Sequence, residues 1–402
     1  MITSLTVKNF RTLHDVTWKP GRLSVLTGAN NSGKTNLAYA LRFLSATARL
    51  DSLDDAGNEA CGTASEVVCR HHSGQVVEFG LRVAEPAHGV EFQYDLALAP
   101  RPIMARDDPF CEDDLGVQSE KLWWRGANGD SKDARWHPLI HDDGQAVKLY
   151  SEDGSEREAS ERPQARRGTT LAQEKSLAYY THVFRSYISR FRYYHIAAEH
   201  LRADARLMEL AALSGTGDNF AAVLYGMKNE DEGSYRRLLS LVQEVDPSVE
   251  YFNCIHLRDG RIVVEVKHKG VAETGPLAAL SDGTLLYMAL CMVALQPTLR
   301  TRRTVTPPSL VLFEEPENGL YVRRLHQLFD RLKEMSERTQ TIITTHSPFL
   351  LDFFDDAVED IFVLRNGENG TEIKQANPAK VDQLLETMSM GEMLYRELLT
   401  CE

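Results

Sequence analysis

The chain has 402 residues, 43% hydrophobic and 26% charged, with a net charge of −13. This length accommodates two domains, or one domain with a large insertion, around a sizeable core. The acidic balance argues against a protein that coats nucleic acid unaided and leaves DNA contact to a local basic patch. With no apolar run of membrane-spanning length and no leader-type N-terminus, the chain reads as cytoplasmic, without membrane contact.

Residues 2–9 alternate apolar and polar as a half-buried strand does, and Leu13 to Trp18 supply a hairpin partner. Arg22 to Thr27 is an apolar strand that delivers Gly28-Ala29-Asn30-Asn31-Ser32-Gly33-Lys34-Thr35, an octet of the form GxxxxGK followed by Ser or Thr. Glycines at that interval let successive backbone N–H groups turn inward on phosphate oxygens. Lys34 supplies a point charge for the β- and γ-phosphates, and the Thr35 hydroxyl suits Mg²⁺. Asn31 stands where many such loops carry glycine, and asparagine is the other residue that best tolerates a positive φ. Leu37, Ala40, Leu41 and Leu44 follow at helical spacing.

Ala48 to Cys61 carries weak signals and reads as loop. Val76–Val83 and Gly89–Leu98 alternate as strands of an antiparallel sheet. Residues 101–145 offer little pattern, although Trp123, Trp124 and Trp136 suit a small satellite core. Ser151 to Gly168 is almost wholly polar and reads as a mobile loop. Helical patterns cover Ser176–Phe191, Asn219–Tyr225 and Tyr235–Val245, with a short strand at Tyr193–Ala197. Arg185, Arg190 and Arg192 lie among aromatic residues, a mixture open to two readings: the solvated basic side of an amphipathic helix, which is favoured, and a face toward a nucleic-acid backbone. Asp259-Gly260 turns Tyr251–Leu257 back on Arg261–His268. The six cysteines lack CxxC spacing and read as reduced structural thiols.

The C-terminal third carries further chemistry. Leu280-Ser281-Asp282-Gly283-Thr284 opens a strongly apolar helix that Ser281 can cap, making a second anion-grade helix N-terminus. Ser309 to Phe313 is a continuous apolar run, as in a parallel strand buried on both faces, and it ends in Glu314-Glu315-Pro316-Glu317-Asn318-Gly319. Carboxylates at that end of a strand sit where ligands bind in an open α/β sheet. The first can hold Mg²⁺ through water and the second can deprotonate the attacking water. Tyr321 to Met335 reads as an amphipathic helix, and Thr341–Thr345 as another buried strand with His346-Ser347-Pro348 at its end. A histidine placed there can contact the γ-phosphate or the water.

This ordered set, with Leu5-Thr6-Val7-Lys8-Asn9-Phe10-Arg11 at its start, resembles the ABC-class ATPase heads of the RecF, SMC and OLD-like branch. It is most similar to the standalone AAA-family ATPases found beside toxin or nuclease partners in bacterial anti-phage defence operons. The resemblance covers roughly residues 1–47 and 277–365. It implies an α/β fold: an ABC-type ATPase head with a phosphate-loop core sheet, a flanking antiparallel sheet and a mainly helical inserted lobe. The head then spans residues 1–100 and 251–402, and the lobe 101–250 serves partner binding or regulation.

By this resemblance ATP is held by Asn30, Asn31, Ser32, Gly33, Lys34, Thr35 and Asn36, with Arg11 reaching the nucleotide. Thr35 and Glu314 hold Mg²⁺, Glu315 is the catalytic base and His346 the switch histidine. Ser281 and Gly283 form a signature that acts on a second subunit's ATP. The partners implied are a second copy, through shared ATP sites, and an effector protein, a toxin or nuclease encoded nearby. Glu314 replaces the more usual Asp, Tyr321-Val322 replaces His-Pro, and Gln93 is a weak substitute for a Q-loop glutamine. Without long heptads the chain is not a coiled-coil rod. Two rival readings stay open: a scaffold that cages an effector with little turnover, and a RecF-like DNA-repair ATPase.

Overall fold

The computed structural model describes residues 1–62, 66–67, 76–101, 114–127, 135–161, 168–175, 177–207, 212–295, 307–368, 370–396 and 398–400. They fall into two compact units, one of Met1–Phe191 with Phe362–Gln375 and one of Arg192–Ile361 with Ala376–Glu402.

The first unit holds β1 (Ile2–Phe10), β2 (Leu13–Trp18), β3 (Leu23–Gly28), β4 (Val77–Glu85), β5 (Val90–Arg101), β6 (Asp114–Gly126), β7 (His137–Asp142), β8 (Ala146–Tyr150) and β9 (Glu156–Glu161). Eight of these pair in the order β2-β1-β4-β5-β6-β7-β8-β9, every recorded pairing antiparallel. The period of two decides the buried face. Val77, Phe79, Leu81 and Val83 point inward from β4 while Glu78 and Arg82 face water. In register with them, Phe92, Tyr94, Leu96 and Leu98 of β5 are buried. The helix Lys34–Thr47 lays Leu37, Leu41 and Leu44 into this core, and Phe43 stacks on Phe79 at 5.7 Å. The remaining strand, β3, lies beside Ile361–Gly367, which in turn pairs with Gly370–Gln375.

The lobe expected to be mainly helical over residues 101–250 is divided into a stranded part and a helical part. Residues 114–161 extend the sheet by four strands, β6 to β9, and the helical part begins with the short helix Thr170–Gln173 and continues at Tyr179–Ile188. Trp124 is buried against Tyr180 at 4.2 Å, as a satellite core requires, and Arg125 stacks over Trp136 at 4.7 Å. The polar stretch read as a mobile loop contains β9, which β8 pins through backbone hydrogen bonds that no apolar pattern reports; residues 162–167 lie outside the described set. Ala48–Cys61 is not all loop either. A helix runs from Leu53 to Cys61, capped by Ser52 and opened by Asp54 and Asp55.

One polar group anchors the sheet. Glu120 of β6 is fully buried and accepts the Tyr94 hydroxyl at 3.0 Å, the Leu171 N–H at 3.1 Å and the Thr170 N–H. Burial pushes its carboxyl above the ordinary 4.5, against those hydrogen bonds.

In the second unit the strand Leu310–Glu314 lies between Phe191–Tyr194 and Gln340–Thr345. It runs parallel to the latter, with Glu314 opposite Thr344. Leu310 to Phe313 and Thr341 to Thr345 are buried throughout, which is why both read as unbroken runs instead of alternating ones. Tyr194 on one face of its strand stacks on Phe313 at 5.2 Å. Helices Phe220–Glu230 and Glu232–Val245 precede the expected hairpin, Val249–His256 against Arg261–His268. The helix Asp282–Leu295 is apolar all round and buried over most of its length. The amphipathic helix expected from Tyr321 starts later, at Leu325, after a single 3-10 turn. Among the described residues no helix is long and apolar enough to cross a membrane.

Candidate nucleotide site

In the first unit the loop after β3 has the backbone its sequence requires. Gly28, Asn31 and Gly33 have φ of 144°, 64° and 101°, so Asn31 takes the left-handed conformation expected of it. A side chain at Gly28 would sit 2.1 Å from the Leu364 carbonyl, and one at Gly33 would sit 2.2 Å from the Thr371 hydroxyl. Both glycines are therefore fixed by approach as well as by φ. Gly33 stands at the N-cap of the helix Lys34–Thr47 without a side-chain cap hydrogen bond, and the first turn carries no acidic residue.

Lys34 is nearly buried, and its Nζ donates to the Gly28 and Ala29 carbonyls at 2.9 Å each and to Ser32 Oγ at 3.4 Å. The ammonium is folded onto its own loop, next to the exposed Asn30 and Asn31. Thr35, half-buried, follows it on the first turn of the helix. Asn36 turns away from the loop: its Nδ2 donates to Thr12 Oγ1 at 2.7 Å, and Thr12 pairs with Thr371 at 2.8 Å. Asn36 thus braces the loop from behind, at the same Thr371 that Gly33 touches. Arg11 has φ of 51°, pairs with Glu66 at 3.3 Å and lies 5.1 Å over the Tyr39 ring.

In the second unit the two parallel strand ends bring Glu314, Glu315 and His346 together. Glu315 has φ of 46°, an uncommon conformation for glutamate, and its N–H bonds the Thr344 carbonyl at 3.0 Å. That local strain turns its carboxylate so that one oxygen accepts Asn318 Nδ2 at 2.6 Å and the other lies 3.4 Å from His346 Nε2. Glu314, mostly buried, accepts the Tyr193 hydroxyl and lies 3.3 Å from His195 Nδ1. Tyr193 and His195 stand two apart, as residues on one face of a strand do, and glutamate is one methylene longer than aspartate. The departure from Asp therefore has a structural partner in this chain. Sequence reasoning missed both residues, since 121 positions separate Tyr193 from Glu314. Gln93 is engaged elsewhere, with Asp95 on the sheet of the first unit.

Ser281 accepts the Thr284 N–H at 3.2 Å and so caps its helix as expected. Gly283 lies against the loop that follows Glu315: a side chain there would meet the Gly319 carbonyl at 2.8 Å. Arg202 donates to Asp282 at 2.5 Å and to the Leu280 carbonyl at 3.1 Å, offsetting the acid at this helix N-terminus. Of the basic residues flagged in the middle region, Arg185 binds the Ala48 carbonyl and Arg190 the Ser186 carbonyl.

Residues 23–352 match the family model described as "AAA domain, putative AbiEii toxin, Type IV TA system". The chain belongs to this family. No curated protein matches the sequence. Among solved structures, the Smc head bound to the C-winged helix domain of ScpA is 14% identical with a TM-score of 0.52, over 93% of this chain and 97% of that one. A Pyrococcus furiosus Smc head with an extended coiled coil, bound to the C-terminal domain of ScpA, is 13% identical over 96% and 98% of the two chains at a TM-score of 0.49. The SMC head domain from Thermotoga maritima is 13% identical over 94% and 99% at 0.45. The first of these carries the fold assignment, which is that of an Smc head.

Proposed function

We propose that this AAA-family chain binds Mg-ATP, hydrolyses it, and dimerises head to tail around it to hold or release an effector. The observation that carries the reading is the set of strand ends at which Glu315 is strained into place 3.4 Å from His346, beside the mostly buried Glu314. A carboxylate oriented by Asn318 and facing an imidazole suits a general base that positions water for in-line attack. Lys34 and the loop N–H groups suit the phosphates. Oxygen donors such as the Glu314 carboxylate and the Thr35 hydroxyl suit Mg²⁺, which would neutralise charge on the β- and γ-phosphates. Ser281 and Gly283, at a second helix N-terminus, fit the γ-phosphate of a second copy. The toxin named in the family description, and the ScpA domains seen on Smc heads, support a protein effector as the partner.

The test is Glu315→Gln, which keeps the shape and removes the base. The variant should bind ATP, turn it over about 10²-fold more slowly or worse, and accumulate as an ATP-bound dimer in light scattering. Turnover equal to wild type would remove Glu315 as the base. A variant that stays monomeric with ATP bound would remove the shared-site dimer.

A further inference from the structure

The loop leaving Glu315 contains a third carboxylate that the reading above does not use. Glu317 is 9% exposed, and one of its oxygens accepts both the Thr345 hydroxyl and the His346 N–H, the latter at 3.3 Å. Thr345 Oγ1 accepts the Ser347 N–H at 2.9 Å in turn, so the carboxylate sits at the head of a short relay through the residues flanking His346. Its second oxygen, Oε2, is buried with no hydrogen-bond partner among the described residues. Burial pushes the carboxyl above its ordinary 4.5, and the neighbouring Glu315 charge adds to that rise. Leaving a buried carboxylate oxygen unmatched costs free energy that an apolar residue or a glutamine at this turn would avoid in part. A turn staple alone does not explain keeping an acid there.

We propose that Glu317 is a positioning residue for His346: by holding the His346 N–H and the Thr345 hydroxyl, it sets where the imidazole stands against Glu315. The distance at stake is the 3.4 Å between His346 Nε2 and Glu315 Oε1, just beyond an ordinary N–H···O bond. A shift of a few tenths of an ångström in the His346 backbone closes or opens that contact. Glu317 hangs from the same loop as Glu315, two residues on, so the base and the histidine are referred to one piece of backbone. Neither can move far without the other. This places the control of the histidine in the loop, not in its own strand.

The kinetic arm of the test rests on the hydrolytic reading, and the spectroscopic arm does not. In the full chain, Glu317→Ala should lower kcat about 10- to 100-fold while KM for ATP stays within about twofold. The backbone amide proton of His346, followed in histidine-labelled protein, should move upfield as its carboxylate acceptor is lost. Glu317→Gln keeps a carbonyl oxygen in place and should recover kcat to within about fivefold of wild type. A kcat for Glu317→Ala equal to wild type, a matching change in KM, or a glutamine variant as slow as alanine would each overturn the proposal. If Glu317→Ala does not fold, Glu317→Gln decides alone: its neutral carbonyl is a weaker acceptor than a carboxylate, so the His346 amide should move upfield in part, and an unmoved amide overturns the proposal. If the wild type binds ATP without turnover, the hydrolytic reading fails, and the amide shift in either variant still decides the role of Glu317.

Discussion

Replacing Lys34 by alanine tests the phosphate half of the site, and the structure sets the size of the effect. The Nζ has three donors, and in this conformation they reach the Gly28 and Ala29 carbonyls and Ser32 Oγ. Phosphate oxygens must replace at least the two carbonyls, so binding gains only the difference between the two kinds of bond. Each exchange turns an ammonium–carbonyl bond into an ammonium–phosphate bond in which both partners are charged, so a net of about 1–1.5 kcal/mol for each exchanged bond is reasonable. Two exchanges amount to about 2–3 kcal/mol, or a Kd for Mg-ATP weaker by about 30- to 150-fold. The fold should survive, because Ala29 is exposed and Gly28 half-exposed, so their carbonyls can turn to water. Isothermal calorimetry gives the Kd, and urea denaturation confirms that the variant is folded. An affinity within about threefold of wild type, on protein with an unchanged unfolding midpoint, would refute the assignment of Lys34 to the phosphates.

Two further outcomes follow from buried carboxylates. Tyr193→Phe deletes the hydroxyl that Glu314 accepts, and should lower the unfolding free energy by about 1–2 kcal/mol in urea at neutral pH. A loss below about 0.3 kcal/mol would mean that this bond is not kept in solution. Glu120 has a folded pKa raised above its ordinary 4.5, so stability carried by its protonated form is complete below that value and is lost as pH rises through the folded one. Glutamine does not titrate, and wild type minus Glu120→Gln isolates the term. That difference in unfolding free energy should fall as pH rises above 4.5, and a difference that is flat or rises with pH would contradict the raised value.

The half-sites differ in how far they could be read from residues alone. The backbone of the loop Gly28–Thr35 was legible because its geometry is local: glycines set the φ values, Lys34 bonds carbonyls five and six residues back, and the helix begins at once, whereas the turn of Asn36 toward Thr12 was not. Ser281 capping Thr284 is local in the same sense. The buried strands Leu310–Glu314 and Gln340–Thr345 announced themselves as unbroken apolar and β-branched runs, which burial on both faces requires. A cap signal at Ser52, with Asp54 and Asp55 behind it, was present and went unread.

Other features had no local signal. Glu156–Glu161 is polar but for Ala159 and is a strand because β8 supplies its hydrogen bonds, so its state depends on a neighbour and not on its own pattern. The surroundings of each acid were likewise decided by strand order. Tyr193, with His195 just past the end of its strand, meets Glu314 because that strand lies next to Leu310–Glu314, and Glu317 meets His346 because two parallel strands end at the same level. Sequence specifies which groups carry charge and how the backbone turns over a few residues. Which donor faces a given carboxylate is settled only when distant strands pair, because a hydrogen bond about 3 Å long keeps no memory of the length of chain between its partners.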